Sequence, residues 1–252
     1  MGSIEHMRKL LNDSETHEEY ATYWNETSHD WAERDDIFVK FNDHIGYLRV
    51  GFGAAEDDRF FWPELVLDGH FGPELGMGWV LGDQMQNCGR RPIFFLKTAY
   101  GGRDLAIDFR PPSSGKGNYQ GVKPVHYGWQ YREMIDDILS TVADLENLVP
   151  GYDDDLGFEL SGLVWFQGPS HPSRDSILTA HTHRAPHYIG WNDMISEPKV
   201  QEYEYNLANL IRDMRDDLDA PMMPVLVGGM GQLGVNASGR YVVNEIQPHV
   251  LN

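Results

Sequence analysis

Cysteine is almost missing from this chain. Cys88 stands alone among 252 residues, which excludes an intrachain disulfide and any cysteine-rich metal centre. Positive charge is scarce as well. There are 20 Lys and Arg against 39 Asp and Glu, a formal charge of −19. So few cations argue against a nucleic-acid backbone or an anionic membrane surface as partner, because phosphate recognition needs clustered Lys and Arg. No apolar run reaches the roughly 18 residues that a membrane helix requires, so no span is expected. The start, Met1-Gly2-Ser3-Ile4-Glu5-His6, has no apolar core of a signal peptide. A leader upstream of Met1 stays open, and with it secretion. Internal repeats and low-complexity linkers are also lacking, so 1–252 reads as one domain.

Hydrophobic residues make up 41% of the chain and aromatics 12%, enough for a real core. The first sixty residues are acidic and weakly periodic. Ile37-Phe38-Val39 and Tyr47-Leu48-Arg49-Val50 read there as short edge strands. From Gly72 the pattern sharpens. Pro73 suits a helix start, Leu75, Trp79, Val80 and Met85 are apolar, and Gly89 suits a stop. Ile93-Phe94-Phe95-Leu96 is a continuous apolar run of strand length. A second helix carries Tyr131, Ile135, Ile138, Leu139, Val142 and Leu145 on one face. A strand from Leu160 to Phe166 follows. The third helix carries Val200, Tyr203, Leu207, Leu210, Ile211, Met214 and Leu218, with Ser196 as cap and Pro198 in its first turn. Pro224 to Val227 forms the last strand.

Helices alternating with near-continuous apolar strands predict an α/β fold, with a mostly parallel sheet covered on both faces. Ligands of such sheets sit beyond the carboxyl ends of the strands. The three strands run into Gly101-Gly102, Gln167-Gly168 and Gly228-Gly229, which makes those turns the candidate site. Tight turns need glycine anyway, so the pattern alone leaves both readings standing.

Other motifs carry less. Gly229-Met230-Gly231-Gln232-Leu233-Gly234 follows a strand but runs into a turn-like Asn236-Ala237-Ser238-Gly239, against a dinucleotide site. His171, His181, His183 and His187 crowd one stretch, which reads better as a His- and Pro-rich loop than as a metal centre. Trp191, beside Asn192-Asp193, has a ring that could stack on a sugar or pack in a core.

Several blocks occur together in order: Gly72-Pro73-Glu74-Leu75-Gly76, Lys97-Thr98-Ala99-Tyr100-Gly101-Gly102, Asp108-Phe109-Arg110-Pro111-Pro112-Ser113-Ser114-Gly115 and Gly162-Leu163-Val164-Trp165-Phe166-Gln167-Gly168. Tyr203-x-x-Asn206-Leu207 and Pro224-Val225-Leu226-Val227-Gly228 continue the series. In these the chain resembles the sialate O-acetylesterase-like carbohydrate esterases of the SGNH hydrolase superfamily, over about residues 33–234. The resemblance implies a three-layer α/β/α fold with a flavodoxin-like sheet. It implies hydrolysis of an acyl ester, typically acetyl, on a sugar or glycan, without metal or cofactor. A Ser nucleophile, a His base and usually an Asp would act with an oxyanion hole. Asn192 and a backbone N–H of Gly101 or Gly102 would form that hole. Arg103, Gln167, Gly168 and Trp191 would line the pocket, and Asp193 would orient Asn192 or the local turn.

The chain departs from that family in three ways. It has no Gly-Gln-Ser-Asn nucleophile block, and Ser3 has no apolar strand before it. It has no Asp-x-x-His after the last strand, since Asp219 is its last Asp and His249 has no acidic partner at that spacing. A family sheet without the nucleophile block would lack its first strand. Lastly, residues 169–190 separate Gln167-Gly168 from Trp191-Asn192-Asp193-Met194, a block that relatives keep continuous. This insertion reads either as a lid or as translated intron sequence, and the second also accounts for the missing blocks. The expected protein is therefore an esterase whose nucleophile and base are not in this chain. The alternative is a non-catalytic relative that binds a glycan.

Overall fold

A computed structural model describes residues 2–52, 70–87, 92–100, 103–167, 193 and 197–228. They mix helices with parallel and antiparallel strands, an α/β composition. The chain divides into two compact units, Met1–Tyr100 and Gly101–Asn252.

In the first unit, β1 (Gly2–Ser3) leads into α1 (Ile4–Asn12), and a short α2 (His17–Tyr20) follows. The hairpin strands β2 (Trp24–Asn25) and β3 (Asp30–Trp31) come next, then β4 (Arg34–Phe41) and β5 (His44–Leu48). β6 (His70–Phe71) pairs with β1, α3 runs Pro73–Asn87, and β7 covers Ile93–Lys97. β4 lies between β5, antiparallel, and β7, parallel, with Ile37 opposite Ile93 and Phe41 opposite Lys97.

This corrects the edge-strand reading of residues 37–39. Ile37, Phe38 and Val39 are all buried, so both faces of β4 are covered. Three consecutive apolar residues, rather than an alternation, are what such a strand needs. β5 does lie at the edge of this sheet, but it starts at His44, upstream of the expected Tyr47. The weak periodicity also hid α1, whose Met7 is buried and whose Ile4 and Leu11 pack on the same core. That core holds Ile37, Val39, Leu48, Val50, Leu75 and Trp79. Gly78 lets α3 lie close to the sheet, because a Cβ there would stand 2.1 Å from Leu48 Cδ2.

In the second unit, α4 (Trp129–Val142) and the single turn α5 (Leu145–Leu148) precede β8 (Leu163–Trp165). α6 (Glu197–Asp217) and β9 (Val225–Val227) follow. β8 and β9 pair in parallel, Val164 opposite Leu226. α6 buries the predicted stripe Tyr203, Leu207, Leu210, Ile211 and Met214. Leu145 is separated from α4 and begins its own turn. β8 and β9 are shorter than expected, and one face of the pair is open. Val164 is 39% exposed and Leu226 58%, whereas Trp165 turns inward edge-on to Phe109.

Candidate functional site

Arg103, Gln167 and Asp193 lie among the described residues. Gly101, Gly102, Gly168, Trp191 and Asn192 lie outside them, as do Cys88, the four clustered histidines, Gly229–Gly234 and His249. The site is therefore built from the turn that follows Arg103.

Residues 104–109 wind into a tight turn held by carboxylates. Asp104 accepts from Ile107 N at 2.6 Å and from Asp108 N at 3.3 Å on one oxygen, and its other oxygen pairs with Lys199 Nζ. Short acidic side chains suit this work, since they reach backbone N–H groups two to four residues on. Asp108 closes the turn from the other side. It accepts from Asp104 N at 3.0 Å and from Trp129 Nε1 at 2.8 Å. Asp193 comes from far along the chain. Its two oxygens accept from Leu105 N at 2.8 Å and Ala106 N at 3.0 Å, and the first also accepts from Gln167 Nε2 at 2.7 Å. Tyr203 of α6 then donates to Gln167 Oε1 at 3.0 Å, fixing that amide from behind.

The cluster is dry. Asp104 is 2% exposed and Asp193 1%. Burial, with the Asp104 carboxylate beside it, pushes Asp193 up to about 7, against its hydrogen bonds and the Lys199 charge, which favour the ionised form. Burial and Asp104 push Asp108 up too. Lys199 lies 5.5 Å from the ring centre of Tyr119, whose hydroxyl donates to Glu202 at 3.2 Å. Burial and the Glu202 charge hold that phenol well above its ordinary range. Glu202 also pairs with Arg110 at 2.8 Å, and Arg110 donates to the carbonyls of Ala106, Ser114 and Gly115. Arg103 stacks 4.6 Å from the Trp129 ring centre and lies 3.7 Å from Asp108. Its buried Nε has no hydrogen-bond partner among the described residues.

The geometry thus joins Asp193 to Gln167 directly. Arg103 sits on the Asp108 side of the same turn. Asp193 is engaged by three donors, so it acts as an anchor for the turn rather than as a free base. Sequence reasoning missed Asp104, Lys199, Glu202 and Tyr119. The one available signal was Asp104 and Asp108 flanking Leu105-Ala106-Ile107, a spacing suited to capping a turn. Tyr203 was read as helix core, and its ring is buried, but its hydroxyl serves Gln167. Among the described residues, no group of three or more His, Cys, Asp or Glu side chains is placed to hold a metal ion. No described helix is long and apolar enough to cross a membrane.

No family model matches the chain, and no curated protein matches it. Among solved structures it is similar to an Arabidopsis thaliana protein determined by X-ray crystallography at 1.6 Å resolution. The match has 14% identity, a TM-score of 0.49, and covers 90% of this chain and 73% of that one.

Proposed function

We propose that this chain is a carbohydrate esterase-like protein of the SGNH type, with a three-layer α/β/α, flavodoxin-like fold. Its substrate class is an acylated sugar or glycan, most simply an acetyl ester. In this reading Asn192 and a backbone N–H of Gly101 or Gly102 receive the oxyanion. Arg103 and Gln167 line the pocket with Gly168 and Trp191. A Ser nucleophile and a His base come from segments outside residues 1–252. The reading needs neither metal nor cofactor.

One observation carries the reading. Asp193 gathers Gln167 and the Leu105-Ala106 backbone onto one buried carboxylate. Gln167 and Asp193, both singled out by the family resemblance, thereby meet the Leu105-Ala106 backbone at one point. Anchoring of this kind is what holds donors in place for a developing charge.

The test is binding and turnover measured together. The chain is expected to bind an acetylated oligosaccharide, to lose that binding with Gln167→Ala, and to release no acetate from p-nitrophenyl acetate. Loss of nucleophile or base in triad enzymes removes about a million-fold in rate, so any residual turnover should sit at background. Turnover that survives Asn192→Ala but dies with a serine-directed inhibitor would overturn the site assignment. Absence of both binding and turnover would overturn the glycan reading altogether. A full-length transcript that adds Gly-Gln-Ser-Asn and Asp-x-x-His and drops residues 169–190 makes the parent protein an esterase. One that adds neither leaves the non-catalytic glycan binder.

A further inference from the structure

A hollow lies in the second unit, where the loop after Arg110 meets the first turn of α4. Its volume is about 250 Å³, and a smaller one of about 190 Å³ shares Lys116, Pro124 and Tyr127 with it. The larger one has ten lining residues. Three are cations, Arg110, Lys116 and Arg132, and none is Asp or Glu. In a chain with 39 acidic residues against 20 basic ones, that local reversal of sign needs a reason.

The cations are not equivalent. Arg110 is buried and already paired with Glu202. Arg132 donates from Nη1 to Tyr127 O at 3.0 Å and from Nη2 to Val125 O at 3.2 Å. Those bonds hold the guanidinium against the loop, and a guanidinium has further N–H groups to offer. Neither Lys116 nor Arg132 has a carboxylate partner within ion-pair distance among the described residues. The walls are apolar. The Tyr127 hydroxyl is engaged by Tyr119 N at 2.7 Å, which leaves its ring as the lining, next to Pro124. Gly128 closes the base with a φ of 68°, and a Cβ there would stand 2.4 Å from the Arg110 carbonyl oxygen.

We propose that this pocket binds a small ring compound bearing one carboxylate or phosphate. The anion lies between Lys116 and Arg132, and the ring packs on Tyr127 and Pro124. Two cations in one lining and a ring wall are the chemistry that such a ligand requires. The inference is independent of the esterase reading, since it uses none of the acyl-site residues.

Benzoate, phenyl phosphate and neutral benzamide, titrated into the ¹⁵N-labelled full chain, separate the cases. Either anion is expected to shift the amides of Gly115, Gly117 and Gly128, and benzamide to shift them at least about tenfold more weakly. Benzoate alone, or phenyl phosphate alone, identifies which anion the site takes. Lys116→Gln, at an exposed loop position, is expected to weaken the anion about fivefold and to leave the melting temperature unchanged. Arg132→Gln should weaken it further. No shift from either anion up to about 10 mM overturns the proposal. So does benzamide binding as well as benzoate, or anion affinity retained in Lys116→Gln.

Discussion

Both units bury an apolar core, but only the second adds many buried polar side chains to it. Around β4 and β7 the first unit is filled with Ile37, Val39, Leu48, Val50, Leu75 and Trp79, and Glu74 is its one buried polar residue among those described. The second unit buries nine: Asp104, Arg110, Ser114, Gln130, Thr141, Asp193, Asn206, Asn209 and Asp213. The contrast matters because the two fillings fail differently. An apolar core loses stability in proportion to the void left behind. A buried polar network loses it by stranding donors and acceptors that water can no longer reach. Asp104, Arg110 and Asp193 form such a network around the turn at 104–109, whereas Gln130, Thr141 and Asn206 are buried with no side-chain hydrogen-bond partner among the described residues.

The comparison is open to attack from both sides. The largest effect is expected for Asp193→Ala, which strands Leu105 N, Ala106 N and Gln167 Nε2 at once, about 3–5 kcal/mol in a urea melt. Asp193→Asn keeps the shape and one acceptor, so it should recover part of that loss. In the first unit Ile37→Ala should cost about 2–4 kcal/mol by cavity formation alone. If Asp193→Ala proves milder than Ile37→Ala, the network is not what holds the second unit. Tyr203→Phe removes only the hydroxyl on Gln167 Oε1 and should cost about 1 kcal/mol.

A smaller effect distinguishes the units by pH. Asp193 titrates near 7 when folded and at its ordinary 3.8 when unfolded. Between those values the folded state holds a proton that the unfolded state has lost. Stability from this group is therefore greatest at low pH and falls as pH rises through that window, levelling off above about 7. This is the reverse of an aspartate in a salt bridge. Urea midpoints taken from about pH 5 to 8 should show the decline, and Asp193→Asn should flatten it. A slope that persists in Asp193→Asn assigns the proton elsewhere, with Asp108 the next group to test. The smallest effect is expected on the surface of the first unit. Lys9→Ala breaks the exposed pair with Glu5 and should leave the melting curve unchanged.

Much of the fold was legible in the sequence. α3, α4 and α6 start at or near the residues that their periodicity and prolines indicate, β8 and β9 fall inside the apolar runs, and β7 runs one residue past its own, to Lys97. The first sixty residues were harder. α1 is only nine residues long, so its four apolar residues, Ile4, Met7, Leu10 and Leu11, were easily passed over, yet Met7 packs into the core. β4 read as an edge because its neighbours in sequence are acidic. Its partner β7 lies more than fifty residues away, and only that pairing occupies its second edge. The site was legible in part. Gln167 and Asp193 were singled out together, but Asp104 and Lys199 were not, since a buried ion pair has no local pattern.

The sequence by itself determined what depends on neighbours along the chain. Helix periods, proline starts, apolar strand runs, the acidic balance and the single cysteine are all of that kind. Tertiary structure alone decided which strand is central, which face of β8–β9 stays open, and that Asp193 closes on Leu105 and Ala106 across almost ninety residues. The physical reason is the range of the forces involved. Backbone propensity acts within a few residues, whereas burial and the hydrogen bonds it makes obligatory act between whatever groups the fold brings within about 3 Å.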